Sequence, residues 1–267
     1  MKRALSPLFD RNTARALLSR EFRLALINRY FHVFSVLAVI GGIAAALLTE
    51  DANAIGFFHL QVALYFVSLF ALLAGIGSAQ AEREEWQLLF TQPLPRPSYV
   101  IGKFFALALI FAGVLLLLFL PPLFVGADRR LMAQLYLQTL LLSATFLSCG
   151  LAAGYFASDR AQALIVGVSA WLLLLFGVDL VALFAARWSG IQKLPDLWVA
   201  LLMLNPLDSF RIEALFALQQ IPAEAADKTP LAGWWTAHAG VWFSGTALMW
   251  SAMMLTLAGL RLNRWEE

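Results

Sequence analysis

The amino-acid sequence predicts an all-α membrane protein, one transmembrane domain of 267 residues crossing the bilayer six times. Three observations carry that reading. The chain is 61% hydrophobic and 13% charged, with a mean hydropathy of +0.76, more apolar surface than a soluble fold of this length can bury. Its apolar runs come close to the ~20 residues an α-helix needs to span a bilayer. They lack the alternating pattern, about ten residues long, of a barrel strand. A lone cysteine, Cys149, sits in an apolar run, which excludes a disulfide framework and a cysteine metal cluster.

No cleavable signal is expected, because Lys2, Arg3, Arg11, Arg15, Arg20, Arg23 and Arg29 precede any apolar core. Within residues 10–29, Ala14, Leu17, Leu18 and Phe22 recur at helical spacing, which predicts a basic helix lying flat in the interface; a disordered basic tail is the alternative. The spans fall at about 30–49, 57–79, 99–124, 132–157, 161–186 and 237–260. Between the second and third lies the densest polar stretch, Glu82 to Lys103. Its first part, to Phe90, fits a short amphipathic helix, which Pro93, Pro95 and Pro97 end. That stretch reads as a docking element at the membrane surface.

The loop 187–236 between spans five and six is the longest. It holds an apolar octet, Leu197 to Leu204, then Asn205-Pro206-Leu207-Asp208, a strong helix-start signal of Asn cap, first-turn Pro and early acid. A helix from Pro206 to about Gln219 follows. The octet is too short to span, so the pair reads as re-entrant, tolerable only when packed against other helices. Trp188, Trp198, Trp234, Trp235 and Trp242 mark one interface; Tyr30, Tyr99, Tyr155 and Trp265 mark the other. With the N-terminus inside, thirteen lysines and arginines face the cytoplasm and six face outward, so both termini and the 82–103 loop are expected to be cytoplasmic.

The chain lacks a Gly-x-x-x-x-Gly-Lys-Ser/Thr phosphate loop, a His-Glu-x-x-His pair and a Gly-x-Ser-x-Gly elbow, so no nucleotide site or hydrolase is expected. His32, His59 and His238 are read as interfacial anchors, because their spacing forms no ligand set. Met249, Met253 and Met254 could relay soft Cu(I) or merely fill a helix. Asp179 in span five is the one clearly intramembrane carboxylate, either functional or a hydrogen-bonded structural residue. Gly150 and Gly154 permit close helix approach, within the chain or at a dimer seam.

The cluster Glu82-Arg83-Glu84-Glu85, with Leu88-Leu89, Pro93-Leu94, Arg96 and Gly102-Lys103 opening an apolar span, resembles the first cytoplasmic loop of ABC-2-type ABC transporter permeases. Blocks around Asp179 and around Asn205-Pro206 resemble the NosY-like subgroup, which serves nitrous oxide reductase maturation. The chain departs at Trp86, where the family often has a small residue.

The resemblance implies that Glu82, Arg83, Glu84, Glu85, Trp86, Leu89 and Arg96 form a coupling helix and its flank, docking on a separate ATPase subunit. That subunit, in two copies, would use the ATP and Mg; this chain would bind no cofactor and no metal. It further implies a homodimer, contacts with lipid, no nucleic-acid partner, and a periplasmic copper-handling protein docking at Asn205, Pro206, Asp208 and Arg211. An ABC-2 exporter of a lipid, glycan or drug is the alternative. A membrane enzyme or ATP-independent transporter is a further one, but would need clustered ionisable residues in the spans.

Overall fold

The computed structural model describes residues 18–24, 29–48, 51–81, 96–185, 187, 195–218 and 230–263, and all regular structure among them is helical. Helix α1 covers residues 18–24 and α2 Arg29–Leu48. Helix α3 runs as Ala52–Val62, a π-helical turn Ala63–Val67, and Ser68–Ala81. Next come α4 (Arg96–Phe119), a short α5 (Pro121–Phe124) and α6 (Arg129–Phe156). Helix α7 runs as Arg160–Leu172, a second π-helical turn Leu173–Gly177, and Val178–Ala185. Then follow α8 (Pro195–Leu202), α9 (Pro206–Ala217) and α10 (Pro230–Asn263).

Five stretches among the described residues are long and apolar enough to cross a bilayer: Asn53–Ala81, Ser98–Phe124, Arg129–Phe156, Arg160–Phe184 and Ala237–Leu262. The chain is therefore a multi-pass membrane protein. The predicted first span corresponds to α2, whose apolar stretch Phe31–Leu47 is shorter than these five. Helix α10 starts at Pro230, seven residues before the expected 237, so the end of the 187–236 loop is helical. The polar segment 82–95 lies outside the described residues.

Helix α6 is the centre of the bundle, with 67% of its apolar window buried against 17% for the peripheral α7. Its small residues decide this. Gly150 and Gly154 face α3, and Gly75 of α3 faces back. A Cβ on Gly75 would stand 2.5 Å from the Leu147 carbonyl oxygen, and one on Gly154 2.6 Å from Ala79 Cβ. The Gly-x-x-x-Gly spacing therefore serves packing within the chain, backbone against backbone. Gln80 seals the seam, donating to the Gly154 carbonyl at 2.6 Å.

Helix starts obey local rules. Asp51, Asp128 and Asp159 cap α3, α6 and α7, each side chain accepting from a first-turn backbone N–H.

Where α4 gives way to α5, Pro121 and Pro122 cannot donate to the carbonyls of Leu117 and Leu118. His59 answers for one of them. Its Nε2 lies 3.2 Å from the Leu118 oxygen and its Nδ1 2.8 Å from the Ile55 oxygen, with the residue 1% exposed. His59 is thus a buried cross-link between α3 and α4, not the expected interfacial anchor. A neutral ring can serve one of the two carbonyls, an imidazolium both. His238, by contrast, is exposed and stacked on Trp234 with centroids 4.9 Å apart.

Candidate functional site

The turn between α8 and α9 is where the chain gathers polar chemistry. Asn205 caps α9, its Oδ1 accepting from the Leu207 N–H at 3.2 Å, and Pro206 opens the helix. The other half of the Asn205 side chain reaches two partners. Its Nδ2 donates to the Leu174 carbonyl at 2.7 Å and to Asp208 Oδ2 at 2.6 Å. Leu174 lies in the π-helical turn of α7, where the regular ladder is interrupted. The cap of α9 therefore also pins α7.

The carbonyls ending α8 are met from α10. Trp242 Nε1 donates to the Met203 oxygen and Trp250 Nε1 to the Leu204 oxygen, each at 2.9 Å. Ser209 Oγ also donates to Met203. A helix end in an apolar setting needs such partners, because unsatisfied carbonyls there cost several kcal/mol each.

Two carboxylates converge on one guanidinium. Arg211 lies 3.2 Å from Asp179 Oδ2 and 3.4 Å from Asp208 Oδ1. Asp179 is on α7 and 53% exposed, Arg211 29% and Asp208 10% exposed at the side chain. The intramembrane Asp179 and the Asn205-Pro206 block, read separately in the sequence, are one ionic cluster. Burial is the main force pushing the Asp208 carboxyl above its usual range; Asp179 adds to it, and Arg211 and Asn205 oppose. Asn205, Pro206 and Asp208 are buried, so the exposed charge of this cluster is carried by Asp179 and Arg211.

One turn along α9, Glu213 makes a second cluster that sequence reasoning missed. Its Oε1 accepts from Gln138 Nε2 at 2.5 Å and Gln134 Nε2 at 3.1 Å, both on α6, with Glu213 6% exposed. Gly240 of α10 makes the room, since a Cβ there would stand 3.0 Å from Oε1. The available signal was two glutamines, at 134 and 138, one helical turn apart inside an apolar span.

No cation pairs with Glu213 among the described residues, and burial pushes its carboxyl upward in pKa, the two amides opposing. The folded state then holds the proton more tightly than the unfolded chain. The stability this confers is complete below the ordinary carboxylate pKa and is lost as pH rises through the raised folded value. Glu213→Gln keeps an acceptor oxygen for both amides and removes the charge. Thermal unfolding should show the variant melting above the parent at pH 8, with a gap that closes on acidification. A gap independent of pH would refute the assignment.

The remaining expected residues fall as follows. Glu82, Arg83, Glu84, Glu85, Trp86 and Leu89 lie outside the described residues, and Arg96 is the first residue of α4. Met249 and Met253 are 47% and 42% exposed, while Met254 packs against the core, so the three thioethers do not converge on one buried point.

At the Arg96 end of α4 lies an ion pair of which the charge count took in only Lys103, as one more inward cation. Lys103 Nζ is 3.2 Å from Glu21 Oε1, with side chains 0% and 1% exposed. Ser78 Oγ donates to Glu21 Oε2 at 3.1 Å, and Arg20 donates to the Tyr99 hydroxyl at 3.1 Å. Helix α1 is thereby fixed to both α3 and α4.

No protein-family model matches the chain. It is 30% identical to the probable ABC transporter permease protein NosY of Pseudomonas aeruginosa, over 216 residues that cover 74% of this chain and 75% of that protein. The chain belongs to the NosY-like ABC transporter permeases. In this permease, then, the two polar clusters of α9 and the ion pair of α1 are parts of a membrane transporter subunit, placed at opposite ends of its helices.

Proposed function

We propose that this chain is the membrane subunit of an ABC-2-type transporter that serves copper-site maturation of nitrous oxide reductase. It sits in the bacterial inner membrane with six spans, α2 being the first, and with both termini in the cytoplasm. Two copies pair as a homodimer with two copies of a separate ATPase, which uses the ATP and Mg. The ATPase docks on Glu82, Arg83, Glu84, Glu85, Trp86 and Leu89, with Arg96 at the flank. On the other side, a periplasmic copper-handling protein meets Arg211 and Asp179, held in place by Asn205, Pro206 and Asp208. The observation that carries the reading is the identity to NosY across about three quarters of both chains.

The packing supports a mechanical route between the two ends. Segment 82–95 joins α3 directly to α4, so a push there acts on both. In α3, Ser68 accepts from Trp171 Nε1 of α7 at 2.9 Å, with both groups buried. Each of these helices carries a π-helical turn beside that bond, a common place for a helix to give. Helix α7 then holds α9 through Leu174–Asn205 and Asp179–Arg211. A displacement of α3 is thus delivered to the outer helix pair through five named side chains, Ser68, Trp171, Asn205, Asp179 and Arg211.

The test uses the complex from its own cell. With Glu84→Lys and Glu85→Lys together, the ATPase should no longer co-purify, while Arg211→Glu should retain the ATPase and lose the periplasmic partner. Unchanged co-purification of the ATPase with the Lys pair would sink the docking assignment, and an unaffected periplasmic partner with Arg211→Glu would sink the other.

A further inference from the structure

Helix α1 lies across α2 and α4, and the three enclose a groove of about 330 Å³ that opens toward the surrounding medium. Leu18 and Phe22 of α1, Phe31 of α2, and Leu109 and Leu117 of α4 line it, giving almost entirely apolar walls. Much of this wall is uncovered among the described residues: Phe22 is 54% exposed and Leu109 60%. The groove follows α4 from Leu109 to Leu117, about 12 Å at 1.5 Å per residue. Midway, Gly113 supplies the space, since a Cβ there would meet nothing within 4 Å.

The walls are held in place. Glu21 and Arg20 on α1 are engaged by Lys103 and Tyr99 of α4, so the floor does not depend on whatever fills the groove. That engagement has an electrostatic consequence. It buries the acid of α1 and leaves two exposed arginines adjoining lining residues, Arg23 next to Phe22 on α1 and Arg29 one turn before His32 on α2. Neither arginine has a carboxylate within ion-pair distance among the described residues; Arg23 donates to Ser19 Oγ at 3.2 Å.

An occupant must therefore be apolar over some 12 Å and anionic at one end. An extended polypeptide would bring backbone amides that these walls cannot satisfy, and an α-helix, about 10 Å across with its side chains, is too wide for 330 Å³ spread over this length. We propose that the groove is a binding site for an anionic phospholipid, with one acyl chain along α4 between Leu109 and Leu117 and the phosphate held by Arg23 and Arg29. The bound lipid braces α1 against α2, and α1 is already tied to both helices that flank the 82–95 segment. The site's placement in the cytoplasmic leaflet rests on the orientation proposed above; the site itself does not.

The full-length permease in detergent, titrated with phosphatidylglycerol or phosphatidylcholine, provides the test, with bound lipid counted by native mass spectrometry. One phosphatidylglycerol per chain is expected, bound ten- to thirtyfold more tightly than phosphatidylcholine, as two arginines near a lipid headgroup imply. Gly113→Phe, which fills open space and should melt no lower than the parent, should abolish that site for both lipids. Arg23→Gln with Arg29→Gln should remove the preference and keep the binding. Excess inorganic phosphate should not displace the lipid. Equal binding of the two lipids, or a folded Gly113→Phe that still holds one lipid per chain, overturns the proposal. Neither readout involves the ATPase, so failure of the docking test leaves this one standing, and the reverse.

Discussion

Gly150→Ala should lower the melting temperature of the detergent-solubilised permease by roughly 6–12 °C, although it adds one methyl group to a helix that would otherwise favour alanine. The added Cβ would fall inside contact distance of the Leu72 carbonyl oxygen and 2.9 Å from its carbonyl carbon, with Gly75 Cα at 3.1 Å. Those atoms are backbone, so no rotamer change relieves the clash; α3 and α6 must separate. Overpacking a core costs about 1–3 kcal/mol and more where the backbone has to move. Taking the upper end, about 3 kcal/mol, because backbone must move, about 2–4 °C per kcal/mol gives the stated fall.

Gly113→Ala is the internal control. The same residue type in another span meets nothing within 4 Å, and alanine is the better helix former by up to ~1 kcal/mol, so its melting temperature should stay level or rise. Equal effects at the two positions would show that the α3–α6 seam does not approach as closely as described.

Lys103→Met should be at least as damaging, for an electrostatic reason. It takes away the ammonium 3.2 Å from the Glu21 carboxylate, which is 1% exposed, while Ser78 Oγ goes on donating. Removing one partner of a buried pair costs about 3–5 kcal/mol, most of it the uncompensated charge. Replacing both partners by apolar groups of similar volume is close to neutral. The double variant Lys103→Met, Glu21→Leu should accordingly recover most of the lost stability.

The diagnostic readout is local: limited proteolysis near residue 24 should be fast in the single variant and slow in the double. A double variant no better than the single one would mean that the pair is not what fastens α1. In the transporter, loosening α1 should also reduce lipid retention, because Phe22 and Leu18 form one wall of the groove.

Much of the architecture was legible because bilayer physics leaves few choices. A run of about twenty apolar residues has to become a helix, since no water is present to satisfy a bare backbone. The start of α9 was legible for the same kind of local reason: Asn205 and Pro206 act on the first turn alone. His59 was misread because its role depends on Pro122, 63 residues later, whose missing N–H orphans the Leu118 carbonyl. Glu213 was missed because periodicity puts a carboxylate on a helix without saying what that helix packs on, and only the packing of α9 against Gln134 and Gln138 shows that it is buried.

By itself the sequence determined the helical class, the start of α9 at Asn205-Pro206 and the lack of a phosphate loop, all of them consequences of a residue and its near neighbours. The tertiary structure alone decided which of those residues meet. It joined Asp179 to Arg211, Glu21 to Lys103 and Trp171 to Ser68, and it set Gly150 against the backbone of Leu72. The physical reason is that helix periodicity specifies which face of a helix a side chain occupies, whereas partner, depth and burial follow from how helices cross. That crossing depends on volumes summed over residues far apart in the chain.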